Sequence, residues 1–146
     1  MANIPTSPDH SIRTLPILVL FPHNRCNGRC LMCDIWRIQQ VQEITTRDLE
    51  LHLDSLRALG LRWVVLSGGE PLLHSDLPSL CRFLRAGGIR ITLLTAGLSL
   101  ETKAGMVAEN VDDVIVSLDG PPKIHDYIRN VPGAFERLAH GVDALR

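Results

Sequence analysis

The sequence predicts an α/β fold built on a parallel sheet. Three observations carry that prediction. Four short apolar runs recur along the chain, helical apolar stripes fill the gaps between them, and the residues with most chemical potential lie just after the runs. The runs are Ile17–Phe21, Trp63–Ser67, Arg90–Thr95 and Val114–Leu118, each short and apolar enough to be a buried parallel strand.

The helices follow from spacing and capping. Thr45 or Thr46 can cap a helix whose Leu49, Leu53 and Leu56 share one face, and Gly60 stops it. Ser75 or Asp76 can cap the next, where Leu77, Leu80, Cys81 and Leu84 stand at i, i+3, i+4 and i+7 and Gly87–Gly88 ends the pattern. Ser99 can cap a third, with Leu100, Ala104, Val107 and Ala108 facing inward. Pro132 suits the first turn of a fourth, with Phe135, Leu138, Val142 and Leu145 inward. Residues 1–13 lack periodicity and read as an extended arm, so the domain runs from 14 to 146 without a linker. Cys81 sits among leucines and is expected to pack as a small apolar residue.

Composition narrows the function. The chain has 146 residues, 45% apolar and 21% charged, with a formal net charge of −1. No basic field is present to hold nucleic acid or an anionic membrane, so neither partner is expected. No stretch reaches the ~18 apolar residues of a membrane span, and the first residues lack a signal peptide's layout. A cytoplasmic, reducing location is therefore expected.

In parallel α/β sheets ligands bind at the carboxyl ends of the strands. The loops there begin at Pro22, Gly68, Ala96 and Asp119. The first holds Cys26-Asn-Gly-Arg-Cys30-Leu-Met-Cys33. Clustered thiols in a reducing compartment indicate metal before disulfide. Thiolates are soft ligands suited to iron–sulfur clusters, zinc or copper(I). Three thiolates on one loop leave a cubane cluster one open iron, where an outside ligand can bind. The rival is zinc, with His23 or Asp34 as fourth ligand.

The x3 then x2 cysteine spacing, with Met32 before the third cysteine, resembles the signature loop of radical S-adenosylmethionine (radical SAM) enzymes. Gly68-Gly69-Glu70-Pro71 after the second strand resembles that family's Gly-Gly-Glu-Pro motif, and Ser117-Leu-Asp-Gly120 ends the fourth strand as is common there. The motifs span positions 26 to 120 in the expected order. Asp119-Gly, then His125-Asp126 and Arg129, is similar to the peptide- and cofactor-modifying branch of the family.

The resemblance implies a [4Fe-4S] cluster on Cys26, Cys30 and Cys33, and S-adenosyl-L-methionine as the second cofactor. It implies reductive cleavage to a 5′-deoxyadenosyl radical that abstracts hydrogen from a substrate, in an oxidoreductase or transferase acting on a small molecule or peptide, with a flavodoxin or ferredoxin as reductant. Gly68, Gly69 and Glu70 would meet the cofactor's ammonium, Met32 its adenine, and Thr95 and Ser117 its carboxylate or ribose. Asp119, His125 and Arg129 are candidate substrate contacts, although His125 and Asp126 also suit a local surface pair. Ala96 stands where the family often has Asn, so that contact is missing.

Family members commonly build a partial barrel of six strand–helix units. Four are expected here, an incomplete (β/α) barrel whose fourth strand leaves an open apolar edge. Self-association or a partner chain at that edge is expected, with poor cleavage by the isolated chain. The competing readings are a non-catalytic zinc or iron–sulfur module and an inactive fragment. Gly-Gly-Glu-Pro argues against the module, because neither zinc binding nor electron carriage needs an ammonium-binding loop. The intact cysteine triad argues against the fragment.

Overall fold

The computed structural model describes residues 12–146, so most of the expected N-terminal arm lies outside the described residues. The strands are β1 (Ile17–Leu20), β2 (Trp63–Leu66), β3 (Arg90–Thr95) and β4 (Asp113–Val116). They form one parallel sheet in the order β1-β2-β3-β4. The helices are α1 (Thr46–Ala58), α2 (Leu77–Ala86), α3 (Leu100–Asn110), α4 (Pro122–Arg129) and α5 (Ala134–Ala144). A partial, open α/β barrel results, as expected.

The core forms where helices cover one face of the sheet. Val64, Leu66, Ile91 and Leu93 pack there against Leu77, Leu80, Cys81 and Leu84 of α2 and Leu100 and Val107 of α3. Cys81 is fully buried, and burial pushes its thiol up to about 11. Thr45, not Thr46, caps α1 through a reciprocal capping box with Asp48. Asp76, not Ser75, caps α2 by accepting from the Ser79 N–H at 3.2 Å.

Some expectations fail, each for a local reason. Ala108 is exposed, because α3 turns Asn110 inward instead, where its side chain donates to the Met106 carbonyl at 2.8 Å. Ser99 flanks α3 but does not cap it; its hydroxyl accepts from Asn27 Nδ2 of the cysteine loop at 3.0 Å. β4 begins at Asp113 and ends at Val116, so Leu118 lies beyond it. The stretch after β4, expected as loop, holds α4.

The other sheet face is partly open: Ile17 is 45% and Val19 57% exposed. At the amino ends of the strands a polar chain crosses this sheet. Trp63 Nε1 donates to Thr92 Oγ1 at 2.8 Å, Thr92 Oγ1 donates to Asp113 at 3.3 Å, and Arg90 grips Asp113 with two bonds of 2.6 Å. The carboxyl ends, at the opposite end of the sheet, carry the chemistry.

Candidate functional site

The cysteine loop is held at the strand ends by backbone bonds from two directions. Glu70 N–H donates to the Arg25 carbonyl at 2.7 Å, joining the loop to the Gly-Gly-Glu turn. From the other side, Arg29 N–H donates to the Arg129 carbonyl at 3.2 Å and Leu31 N–H to the Ile128 carbonyl at 3.0 Å. The last carbonyls of a helix have no intrahelical partner. The cysteine loop fills two of those at the end of α4.

Both glycines of the turn are required by geometry. Gly68 has φ +101°, a backbone that L side chains rarely adopt. A Cβ on Gly69 would lie 1.9 Å from the Arg25 carbonyl oxygen, so no side chain fits there. The two loops approach this closely only because position 69 is glycine.

A cavity of about 240 Å³ opens between these loops. Cys26, Cys30 and Cys33 line it, with Met32, and across from them lie Gly68, Gly69, Glu70, Thr95 and Ser117. All nine of the expected metal and cofactor residues therefore share one hollow. A larger hollow of about 390 Å³ lies by Arg85, Arg90 and Asp112, away from the thiols.

The three thiols are unequal. Cys33 is exposed, while Cys26 and Cys30 are half-buried. Burial raises the Cys26 thiol, partly offset by the Gly28 N–H, which donates to its sulfur at 3.4 Å. A Cβ on Gly28 would lie 3.6 Å from both Cys26 Sγ and Cys30 Sγ, so the two sulfurs flank the same glycine.

The donor set fits a [4Fe-4S] group with one open position. It offers three thiols from one loop and a cavity beside them with polar groups on its far wall. Among the described residues, no three His, Cys, Asp or Glu side chains converge tightly enough for a single metal ion. Neither suggested fourth zinc ligand joins the thiols. Asp34 is exposed and pairs with Arg37 at 3.2 Å. His23 is 4% exposed and props the loop from behind, its Nδ1 accepting from Arg25 N–H at 2.9 Å. Burial lowers its pKa, which favours the neutral ring. Its Nε2 is buried without a hydrogen-bond partner.

Glu70 is 1% exposed and already engaged. Oε1 accepts from Leu72 N–H at 3.2 Å and Thr95 Oγ1 at 2.7 Å, and Oε2 accepts from Ala96 N–H at 2.9 Å. Burial still pushes its carboxyl above the ordinary carboxylate range. Oε2 keeps a lone pair for a ligand's donor. The Thr95 hydroxyl gives its proton to Glu70 and accepts from Gly97 N–H at 3.0 Å, so it serves Glu70 first. Ala96 contributes through its backbone, a role open to any non-proline residue.

Asp119, His125 and Arg129 come together, but not as a free-standing surface set. Arg129 grips Asp119 with bonds of 2.6 and 3.1 Å, and Asp119 lies 3.2 Å from His125 Nδ1. The expected surface pair of His125 with Asp126 does not form. His125 is completely buried, edge-on to Phe135, and Asp126 instead accepts from Gly133 and Phe135 N–H at 2.8 Å each. Arg129 also reaches Cys30 Sγ at 3.6 Å.

Sequence reasoning missed two residues near the site. His74, given no role, is buried with its ring centroid 5.8 Å from that of His23, and its Nε2 meets the Ile44 carbonyl at 2.8 Å. Glu43 pairs with Arg25 and accepts from Ser75 N–H at 3.1 Å. Both lie on connecting segments without periodicity, so pattern offered no signal.

Comparison with known proteins agrees with this geometry. The family described as the Radical SAM superfamily matches residues 20–146. An AdoMet-dependent heme synthase of Methanosarcina barkeri is 35% identical over 126 residues, covering 83% of this chain and 36% of that protein. A GTP 3′,8-cyclase of Rhodopseudomonas palustris is 32% identical over 145 residues, covering 92% and 42%. Streptococcus suis SuiB, solved bound to S-adenosylmethionine, shares the fold with a TM-score of 0.72 at 20% identity, over 90% of this chain and 32% of that one. The chain thus spans well under half the length of these relatives.

Proposed function

The chain belongs to the radical SAM superfamily, and from that premise we propose that it is the cofactor-binding part of an enzyme that cleaves S-adenosyl-L-methionine reductively. The observation that carries this reading is the single cavity shared by the three thiols and the Gly-Gly-Glu turn. When bound, the [4Fe-4S] cluster supplies the electron for splitting the carbon–sulfur bond, which yields the 5′-deoxyadenosyl radical for hydrogen abstraction.

The chain's own residues bind and orient. Cys26, Cys30 and Cys33 hold the cluster as thiolates. Gly68 and Gly69 bring backbone close to the cofactor's amino acid moiety, and the free lone pair of Glu70 Oε2 accepts from its ammonium. Thr95 and the Ala96 N–H fix the Glu70 carboxylate in place for that bond. Ser117 faces the same cavity and meets the carboxylate or ribose. Met32, 66% exposed, offers an apolar surface for the adenine. Arg129 lines the same cavity, and with its partner Asp119 it is assigned here to contact with a small-molecule or peptide substrate. A flavodoxin- or ferredoxin-class protein is the proposed reductant.

The test is iron and acid-labile sulfide content after anaerobic reconstitution, for wild type beside Cys30→Ala. About four irons and four sulfides per chain, largely lost in the variant, support the reading. Zinc without sulfide would overturn it. With the cluster in place, formation of 5′-deoxyadenosine under dithionite measures how much cleavage the isolated chain supports.

A further inference from the structure

One of the three cysteines has a cation held against it. Arg129 Nη1 points at Cys30 Sγ from 3.6 Å. The guanidinium is not free to wander. Its Nε and Nη2 are held by both oxygens of Asp119, at 2.6 and 3.1 Å, and its side chain is 13% exposed. The Asp119 N–H donates in turn to Nδ1 of the fully buried His125 at 3.3 Å, and Asp119 Oδ2 lies 3.2 Å from the same nitrogen. Backbone bonds from Arg29 and Leu31 to the carbonyls of Arg129 and Ile128 fix the end of α4 to the same loop. An ordered charge is thus clamped onto one cluster ligand.

We propose that Arg129 is a positioning residue that sets the charge balance at Cys30 and raises the reduction potential of the bound cluster. This rests on the functional reading above. Reduction adds one electron from an external reductant, of the flavodoxin or ferredoxin class in the cell and dithionite in the test. No bond forms and no proton moves; the thiolate-bound group gains one negative charge. Around it the carbonyl end of α4 presents the negative pole of a helix dipole, which opposes that gain. The Arg129 cation offsets the opposition, and its N–H···S bond draws electron density from the sulfur. Potentials of iron–sulfur groups follow net charge and hydrogen bonds to sulfur. Asp119 and His125 serve to aim the guanidinium.

The test is an anaerobic redox titration followed by electron paramagnetic resonance, on reconstituted wild type, Arg129→Gln, Arg129→Met and Arg129→Lys. Iron and sulfide are counted in each. The neutral variants are expected to retain the cluster. At the wild-type midpoint their ratio of reduced to oxidised cluster should fall about tenfold, equivalent to 59 mV for one electron. Arg129→Lys, which restores the charge, should recover at least half of that shift. Two neutral side chains of different shape guard against one failing to fold. Neutral variants within twofold of wild type would overturn the proposal, as would a lysine variant shifted as far as glutamine. Absence of any cluster in wild type would instead overturn the functional reading beneath it.

Discussion

At the scale of single residues, Glu70 concentrates the competing demands of the site. It is buried, it accepts three hydrogen bonds, and burial nonetheless raises its pKa. A carboxyl raised on folding contributes most below its unfolded pKa, and that contribution is lost as pH rises through the folded pKa. Glu70→Gln removes the titration and sets an amide N–H₂ against donors from Ala96, Leu72 or Thr95. It should cost about 1–3 kcal/mol, the usual penalty for an unsatisfied buried polar group. The gap between wild type and variant should narrow as pH rises from the ordinary carboxylate range toward neutrality. Urea melts at several pH values measure this, and a gap independent of pH would contradict the raised pKa. The Gly-Gly-Glu motif was legible at once in the sequence. The use of Thr95 to hold Glu70 was not, since the two are 25 positions apart and meet only across neighbouring strands.

At the scale of elements, α3 and α5 pack at a glycine. A Cβ on Gly141 would lie 2.6 Å from Leu100 Cβ and 3.2 Å from the Glu101 nitrogen. Neither atom can swing aside. Gly141→Ala gains about 1 kcal/mol of helix propensity, and crowding costs about 1–3 kcal/mol. The immobility of the neighbours puts the cost at the upper end, so Gly141→Ala should lower stability. Gly105, within α3, has nothing within 4 Å of its Cβ position. Gly105→Ala should therefore raise stability by up to about 1 kcal/mol. Denaturant midpoints of the two variants should move in opposite directions; movement in the same direction would refute the contrast. The α2 stripe of Leu77, Leu80, Cys81 and Leu84 was fully legible, because periodicity reports burial when apolar residues do the burying. The α4 helix was missed for the converse reason. Its Ile124 and Tyr127 are 50% and 72% exposed, and the residue it buries completely is His125.

At the scale of the whole molecule, the sheet ends in an exposed edge. Among the described residues β4 pairs only with β3, Ile115 is 49% exposed, and Leu118 just beyond is 59% exposed. A hollow of about 240 Å³ between this edge and α5 is lined by Val116, Leu118, Phe135 and Leu138, among others. Unpaired apolar edges template association. The chain should sediment with concentration-dependent mass at high concentration, and Ile115→Lys should reduce that dependence. A wild-type monomer at all concentrations would count against it. No helix among the described residues is long and apolar enough to cross a membrane.

The alternation of strand and helix, the α2 stripe and the cysteine spacing are local patterns, and local patterns are written in sequence because each depends on residues a few positions apart. With the Gly-Gly-Glu motif and the family resemblance, they determined the fold class, the family and nine of the residues that line the cavity. What only tertiary structure decided involves residues brought together across the sheet. His23 stands behind the thiols rather than beside them. Thr95 serves Glu70. Arg129, 99 positions from Cys30, points its charge at that sulfur because α4 ends against the cysteine loop. Such contacts are set by where the strand ends place their loops, and that placement has no period to read along the chain.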